Sequence, residues 1–107
     1  MSVAIYEFIG TSLIMYAVMM VGGFYGAVRG IIIAMMLIAW PISGGHFNPA
    51  LTMGIYVAEK DFKGNMKIVL SMIVAQFAGA FFGLLLGFLS LIDHKYVEDK
   101  LPSNAEV

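Results

Sequence analysis

The ten residues SGGHFNPALT at positions 43–52 decide the fold of this chain. Asn48 is a residue type that caps helix N-termini, and Pro49 suits the first helical position, where a backbone N–H is not needed. Gly44 and Gly45 allow the backbone a close approach to a neighbour. We therefore expect a short helix over about residues 49–57, preceded by an irregular segment over residues 41–47.

Long uncharged intervals lie on both sides of this stretch, over residues 8–28, 30–58 and 68–92. A membrane span needs about 20 apolar residues. The first and third intervals fit one span each, whereas Pro41 and the SGGHFNP segment interrupt the second. The pattern predicts helix 1 over about residues 4–23, a tight turn at Gly22-Gly23, helix 2 over about 26–40 and helix 3 over about 66–91. A membrane domain would then cover residues 1–92, followed by a polar tail over 93–107.

The composition supports a membrane protein and argues against most other classes. Apolar residues make up 61% and charged residues 12% of the 107 residues, against about 45–50% and about 25% in soluble domains. The net charge of −1 and the six Lys and Arg residues give no surface for nucleic acid. The chain has no cysteine and two histidines, His46 and His94, too few for a metal cluster. No acid/base pair or nucleophilic triad is present, so we predict no enzyme, no metal and no cofactor.

The short helix has a consequence for transport if it begins at membrane depth. Irregular backbone is tolerated there only where it lines a cavity or is buried in protein. The helix N-terminus carries a partial positive charge, which disfavours a cation but not a neutral solute that forms hydrogen bonds. The Asn48 amide could donate to a passing oxygen, and the carbonyls of residues 44–47 could accept from it.

Residues 43–50, SGGHFNPA, resemble the first signature loop of the aquaporins, or major intrinsic proteins. Residues 7–11, EFIGT, resemble the first-helix motif of that family, and residues 75–80, AQFAGA, resemble its third-helix motif. The resemblance covers about residues 4–92. It implies an all-α membrane protein with three transmembrane helices and one re-entrant half-helix. This half-aquaporin would be one of the two inverted repeats of a complete aquaporin.

The resemblance also assigns roles to particular residues. The signature loop would consist of Gly44, Gly45, His46, Phe47, Asn48, Pro49 and Ala50. Glu7 would brace this loop by accepting its backbone N–H groups, and Gln76 would do similar structural work. Val28 falls about where the family places an aromatic residue of the selectivity filter, with Arg29 beside it. Arg29 could stand in for the family's filter arginine or be a snorkelling charge at a helix end.

The sequence departs from the family pattern in two ways. Only one Asn-Pro-Ala motif is present, and Leu51 follows it, whereas an arginine follows the second motif in the family. The interval from Glu7 to Asn48 is also shorter than in the family, so the outer ends of helices 1 and 2 are clipped. A lone copy of this repeat cannot enclose a pore.

Small residues recur at a spacing of four in two of the predicted helices. Gly26 and Gly30 lie in helix 2, and Gly79, Gly83 and Gly87 lie in helix 3. Such rows allow helices to pack closely, either within the chain or against another subunit.

Two functions remain open at this stage. The chain could pair with an inverted copy of itself, or with a partner that carries the second half, to form a passive channel for water or a small neutral solute. Alternatively, it is a non-conducting structural subunit of a larger membrane complex.

Three Lys residues lie on one side of the predicted spans, and two Lys and one Arg on the other. The positive-inside rule therefore favours neither orientation. Balanced charge of this kind is what insertion in both directions requires.

Overall fold

The computed structural model describes residues 1–21 and 24–100. These residues form four α-helices, α1 (Ser2–Met20), α2 (Tyr25–Ser43), α3 (Pro49–Glu59) and α4 (Phe62–Lys100). Three of them, α1, α2 and α4, are long and apolar enough to cross a membrane. The predicted all-α fold with three spans is therefore confirmed. The turn predicted at Gly22-Gly23 lies outside the described residues.

The predicted end of helix 2 at residue 40 is wrong, because Pro41 does not stop α2. The helix continues to Ser43 with the proline inside its last turn. Proline lacks a backbone donor and its ring crowds the carbonyl four residues earlier, yet the N–H of Gly44 still donates to the carbonyl of Trp40 at 3.2 Å. Gly44 then ends the helix in the left-handed region, with φ of 81°. The irregular segment is correspondingly shorter, over residues 44–48.

The last helix extends at both ends beyond its predicted bounds. At about 1.5 Å per residue, the 39 residues of α4 are about 58 Å long, whereas a hydrocarbon core is about 30 Å thick. The first part of the predicted tail, residues 93–100, is thus helical. There His94 lies 3.7 Å from Glu98, and the Lys100 ammonium lies over the ring of Tyr96. Residues 101–107 lie outside the described residues, and the division of the chain at residue 92 stays a prediction.

Helix α1 is the centre of the packing, since it contacts both α2 and α4, while α3 packs on α4. The glycines of α4 lie directly against the α1 backbone. A Cβ atom added at Gly79 would lie 2.5 Å from the carbonyl oxygen of Phe8, and one at Gly83 would meet that of Ser12. The order of these two contacts shows that α1 and α4 run in the same direction. Gly87 is buried on the same face of α4.

The glycines of α2 have different surroundings. Gly26 and Gly30 are both exposed. A Cβ added at Gly30 would meet nothing within 4 Å, and one at Gly26 would meet only the ring of Phe24. Within residues 1–21 and 24–100, neither glycine packs against another helix.

After α2 the chain turns back along the helix that it has just left. A Cβ at Gly45 would lie 3.1 Å from the Cα of Met36, nine positions earlier in the sequence. Asn48 and Leu51 share a cavity with Met36 and Ile32. Helix α3 therefore begins beside the middle of α2.

Candidate functional site

Glu7 is the centre of a buried hydrogen-bond network beneath the loop. Its side chain has no exposed surface. Oε1 accepts from the Ser43 hydroxyl at 2.6 Å and from the His46 N–H at 3.0 Å. Oε2 accepts from the Phe47 N–H at 2.6 Å and from the Gln76 amide at 2.9 Å. All four partners donate, which matches the four lone-pair sites of a carboxylate. The network joins α1, the end of α2, the loop and α4.

Thr52 extends this network into α3. Its hydroxyl donates to the Asn48 carbonyl at 3.1 Å and accepts from the Gln76 amide at 2.8 Å. The His46 Nδ1 also lies 3.0 Å from Thr52 Oγ1. Which of these two atoms donates depends on the tautomer of the His46 ring. Thr52 lies one turn after Asn48, on the same face of α3, and this position brings its hydroxyl to the Asn48 carbonyl.

The loop backbone adopts left-handed conformations that only some residues accept readily. Gly44 and Gly45 have φ of 81° and 60°, which glycine allows without steric cost. Phe47 has φ of 51°, a conformation that costs a residue with a side chain about 1–2 kcal/mol. Its N–H bond to Glu7 and the burial of its ring, which is 9% exposed, offset that cost.

Asn48 begins α3 and keeps part of its amide free. Its backbone is extended, and its Oδ1 accepts from the Ala50 N–H at 2.9 Å, as expected of a cap followed by Pro49. The side chain is exposed. Among the described residues, no acceptor contacts Asn48 Nδ2, and no donor contacts the carbonyl oxygens of residues 44–47. Donors and acceptors thus lie along one short strip of the chain.

This strip borders a cavity of about 280 Å³, which α1, α2, the loop and α3 enclose together. Its lining residues are Ile14, Ile32, Met36, His46, Phe47, Asn48 and Leu51. A second cavity of about 310 Å³ lies between α3 and α4 and also contacts His46 and Thr52. The His46 ring therefore lies between the two spaces.

The residues predicted near a selectivity filter do not line the first cavity. Val28 lies one turn before Ile32 on α2, about 6 Å along the helix axis. It is half-buried, whereas Arg29 is exposed. In the part of the chain that the structure describes, Arg29 forms no ion pair. A filter role for these two residues stays a prediction.

The described residues contain no group of three or more His, Asp or Glu side chains that could hold a metal ion.

Residues 1–105 match the sequence model of the family described as "Major intrinsic protein", and the chain belongs to that family. It is accordingly an integral, multi-pass membrane protein, as the loop motif and the hydropathy predicted. A curated relative, the propanediol uptake facilitator PduF of Salmonella typhimurium, is 47% identical over 60 residues. That alignment covers 56% of this chain and 21% of the relative, so the chain matches about a fifth of the relative's length. No solved structure matches the chain significantly.

Proposed function

We propose that this chain forms half of the wall of a passive channel for water or a small neutral solute. The observation that carries the proposal is the Asn48 amide, which is exposed at the start of α3 while its loop is fixed from behind by buried Glu7. A side chain that served only as a helix cap would not need such a support. Family membership and the name of the facilitator PduF support the same function.

The solute would exchange its water hydrogen bonds for bonds to the chain. Asn48 Nδ2 would donate to a solute oxygen, and the carbonyls of residues 44–47 would accept from its hydroxyl groups. Ile14, Ile32 and Met36 form the apolar wall of the cavity, which adds no competing polar partner. The N-terminus of α3 carries about half a positive charge, so we expect cations to be excluded.

A second unit would complete the pore. Asn48 and Leu51 are exposed at the start of α3, and the short helix begins beside the middle of α2, so a re-entrant position would place it near the membrane centre. An inverted copy of this chain or a partner with the second half would bring another wall against it. Lys60 caps the end of α3, and Lys63 and Lys67 lie in the first turns of α4. Arg29, Lys95 and Lys100 lie at the other end of the helices. This balance permits insertion in both directions.

The direct test is the shrinkage rate of liposomes that contain the protein under an osmotic gradient of sucrose, followed by re-swelling in propanediol. The unsubstituted chain should exceed empty liposomes in at least one of the two rates. N48L should remove the gain, because it replaces the donors with a bulky apolar group. N48S should keep the helix cap, since serine caps well, but lose the two amide donors and most of the gain. Verified insertion with no gain in either rate would contradict a pore made of this chain alone.

The mass and composition of the native complex would identify the second unit. A particle in mild detergent with a mass that is a multiple of 11.6 kDa would support the inverted copy. A second aquaporin-like half would support a two-part channel. A larger assembly of unrelated proteins that loses stability without this chain would contradict the channel and support the structural-subunit alternative.

A further inference from the structure

We propose that Gly10 is a positioning residue for the candidate pore loop, because it provides the space in which the Phe47 ring lies beside Asn48. Gly10 itself contacts neither the cavity nor a solute. The proposal rests on the proposed channel function, but its physical content is the position of the loop, which can be measured without transport.

The contact between Gly10 and Phe47 leaves no room for a side chain. A Cβ atom added at Gly10 would overlap Cε1 of the Phe47 ring and would lie 2.5 Å from Cζ and 2.6 Å from Cδ1. Such separations do not occur between non-bonded carbon atoms, so any residue larger than glycine would displace the ring. Gly10 lies in the middle of α1 in a helical conformation. Its need for glycine therefore comes from the ring and not from the local backbone.

Phe47 is held at two points on the same face of α1. Its N–H donates to Glu7, and its ring lies on Gly10 one turn later. Both contacts are needed because the backbone of Phe47 is left-handed, with φ of 51°, and a bulky residue does not remain there unaided. Displacing the ring would loosen the bond to Glu7 and release the backbone conformation.

The displacement would reach the candidate pore in two ways. Asn48 follows Phe47 directly, so a change in the Phe47 backbone turns the Asn48 amide. The Phe47 ring also borders the cavity of about 280 Å³, and a ring pushed away from α1 would narrow it. Gly10 thus acts on solute passage only through Phe47.

The experiment measures hydrogen exchange of the backbone amide at position 47 in lipid nanodiscs. Four forms of the protein are compared: the unsubstituted chain, G10A, F47A and G10A/F47A. Overpacking of this kind should make exchange of the Phe47 amide about 5- to 30-fold faster in G10A. In the F47A background the added methyl group meets no ring, so G10A should then change the exchange rate by less than about twofold. The matched control is G54A, which also adds a methyl group to a helical glycine but meets nothing within 4 Å.

Liposome permeability of the same proteins separates this proposal from the proposed function. If the unsubstituted chain conducts, G10A should lower its permeability while G54A does not. If it does not conduct, the exchange rates still test the position of the loop. Equal exchange in G10A and G54A would overturn the proposal, as would an equal effect of G10A with and without the Phe47 ring. If G10A fails to insert, recovery of insertion in G10A/F47A supports the steric contact, and continued failure overturns it.

Discussion

Replacing Glu7 with glutamine tests the network under the loop with almost no change in volume. The carboxylate accepts four hydrogen bonds, whereas a glutamine side chain has one oxygen to accept and an NH₂ group that only donates. Whichever way the amide is turned, at least one backbone N–H, that of His46 or that of Phe47, loses its acceptor and faces another donor, whereas the Ser43 hydroxyl can turn and accept. Hydrogen bonds to charged groups contribute about 1.5–3 kcal/mol each, so E7Q should cost the closed loop at least about 1.5–3 kcal/mol.

The predicted free-energy cost raises the equilibrium constant for local opening of the loop. Each 1.4 kcal/mol is tenfold in an equilibrium constant, so exchange of the His46 and Phe47 amides should be at least about tenfold faster in E7Q. The effect should be confined to the loop and the start of α3, since the other contacts of α1 with α4, the glycine contacts and the Phe8–Phe82 ring pair, do not involve Glu7. Hydrogen exchange at residue resolution in nanodiscs measures the exchange rates of the loop amides and of the rest of the chain.

The opposite interpretation makes a different prediction for the same variant. If Glu7 were only a charge near the membrane interface, its removal would ease insertion, because a carboxylate in a span is costly. Loop exchange would then be unchanged. The control is E59Q, because Glu59 is exposed and accepts one bond, from Asn65. If the loop amides exchange in E7Q at a rate within about twofold of that in E59Q, Glu7 does not brace the loop.

Three further predictions follow from the packing and the network. G83A should lower the thermal stability of the protein in detergent by about 1–3 kcal/mol, because the added Cβ would meet the Ser12 carbonyl; an unchanged unfolding temperature would contradict the close α1–α4 contact. G54A should raise stability by up to about 1 kcal/mol through helix propensity, since the added Cβ meets nothing within 4 Å, and a lower unfolding temperature would show that this position is covered. T52V should cost about 1–3 kcal/mol, because the Gln76 amide loses an acceptor and the His46 ring loses its hydrogen-bond partner, whereas T52S should lie close to the unsubstituted protein in the same unfolding measurement.

The sequence alone established the fold class and predicted the location of the candidate site. Uncharged runs of membrane-spanning length and the Asn48-Pro49 helix start are local signals, because hydrophobic length and capping depend on neighbouring residues. The same local reasoning failed at Pro41, where it predicted a helix end. A proline removes one backbone donor, and whether the helix continues depends on the partners of the other backbone N–H and C=O groups in the last turn. Here the left-handed Gly44 completes that turn.

Beyond the roles of Glu7 and Gln76 that the family resemblance implied, only the tertiary structure decided which distant residues meet at the loop. Glu7 lies 40 positions before Phe47 and 69 before Gln76, and no local periodicity relates them. The roles of Gly10 and Thr52 depend in the same way on contacts across the fold. A buried donor must find an acceptor wherever the fold supplies one, and a ring can lie only where the opposing helix leaves space. The sequence by itself thus determined that a helix begins at Asn48, whereas the packing of α1 and α4 decided how the preceding loop is held.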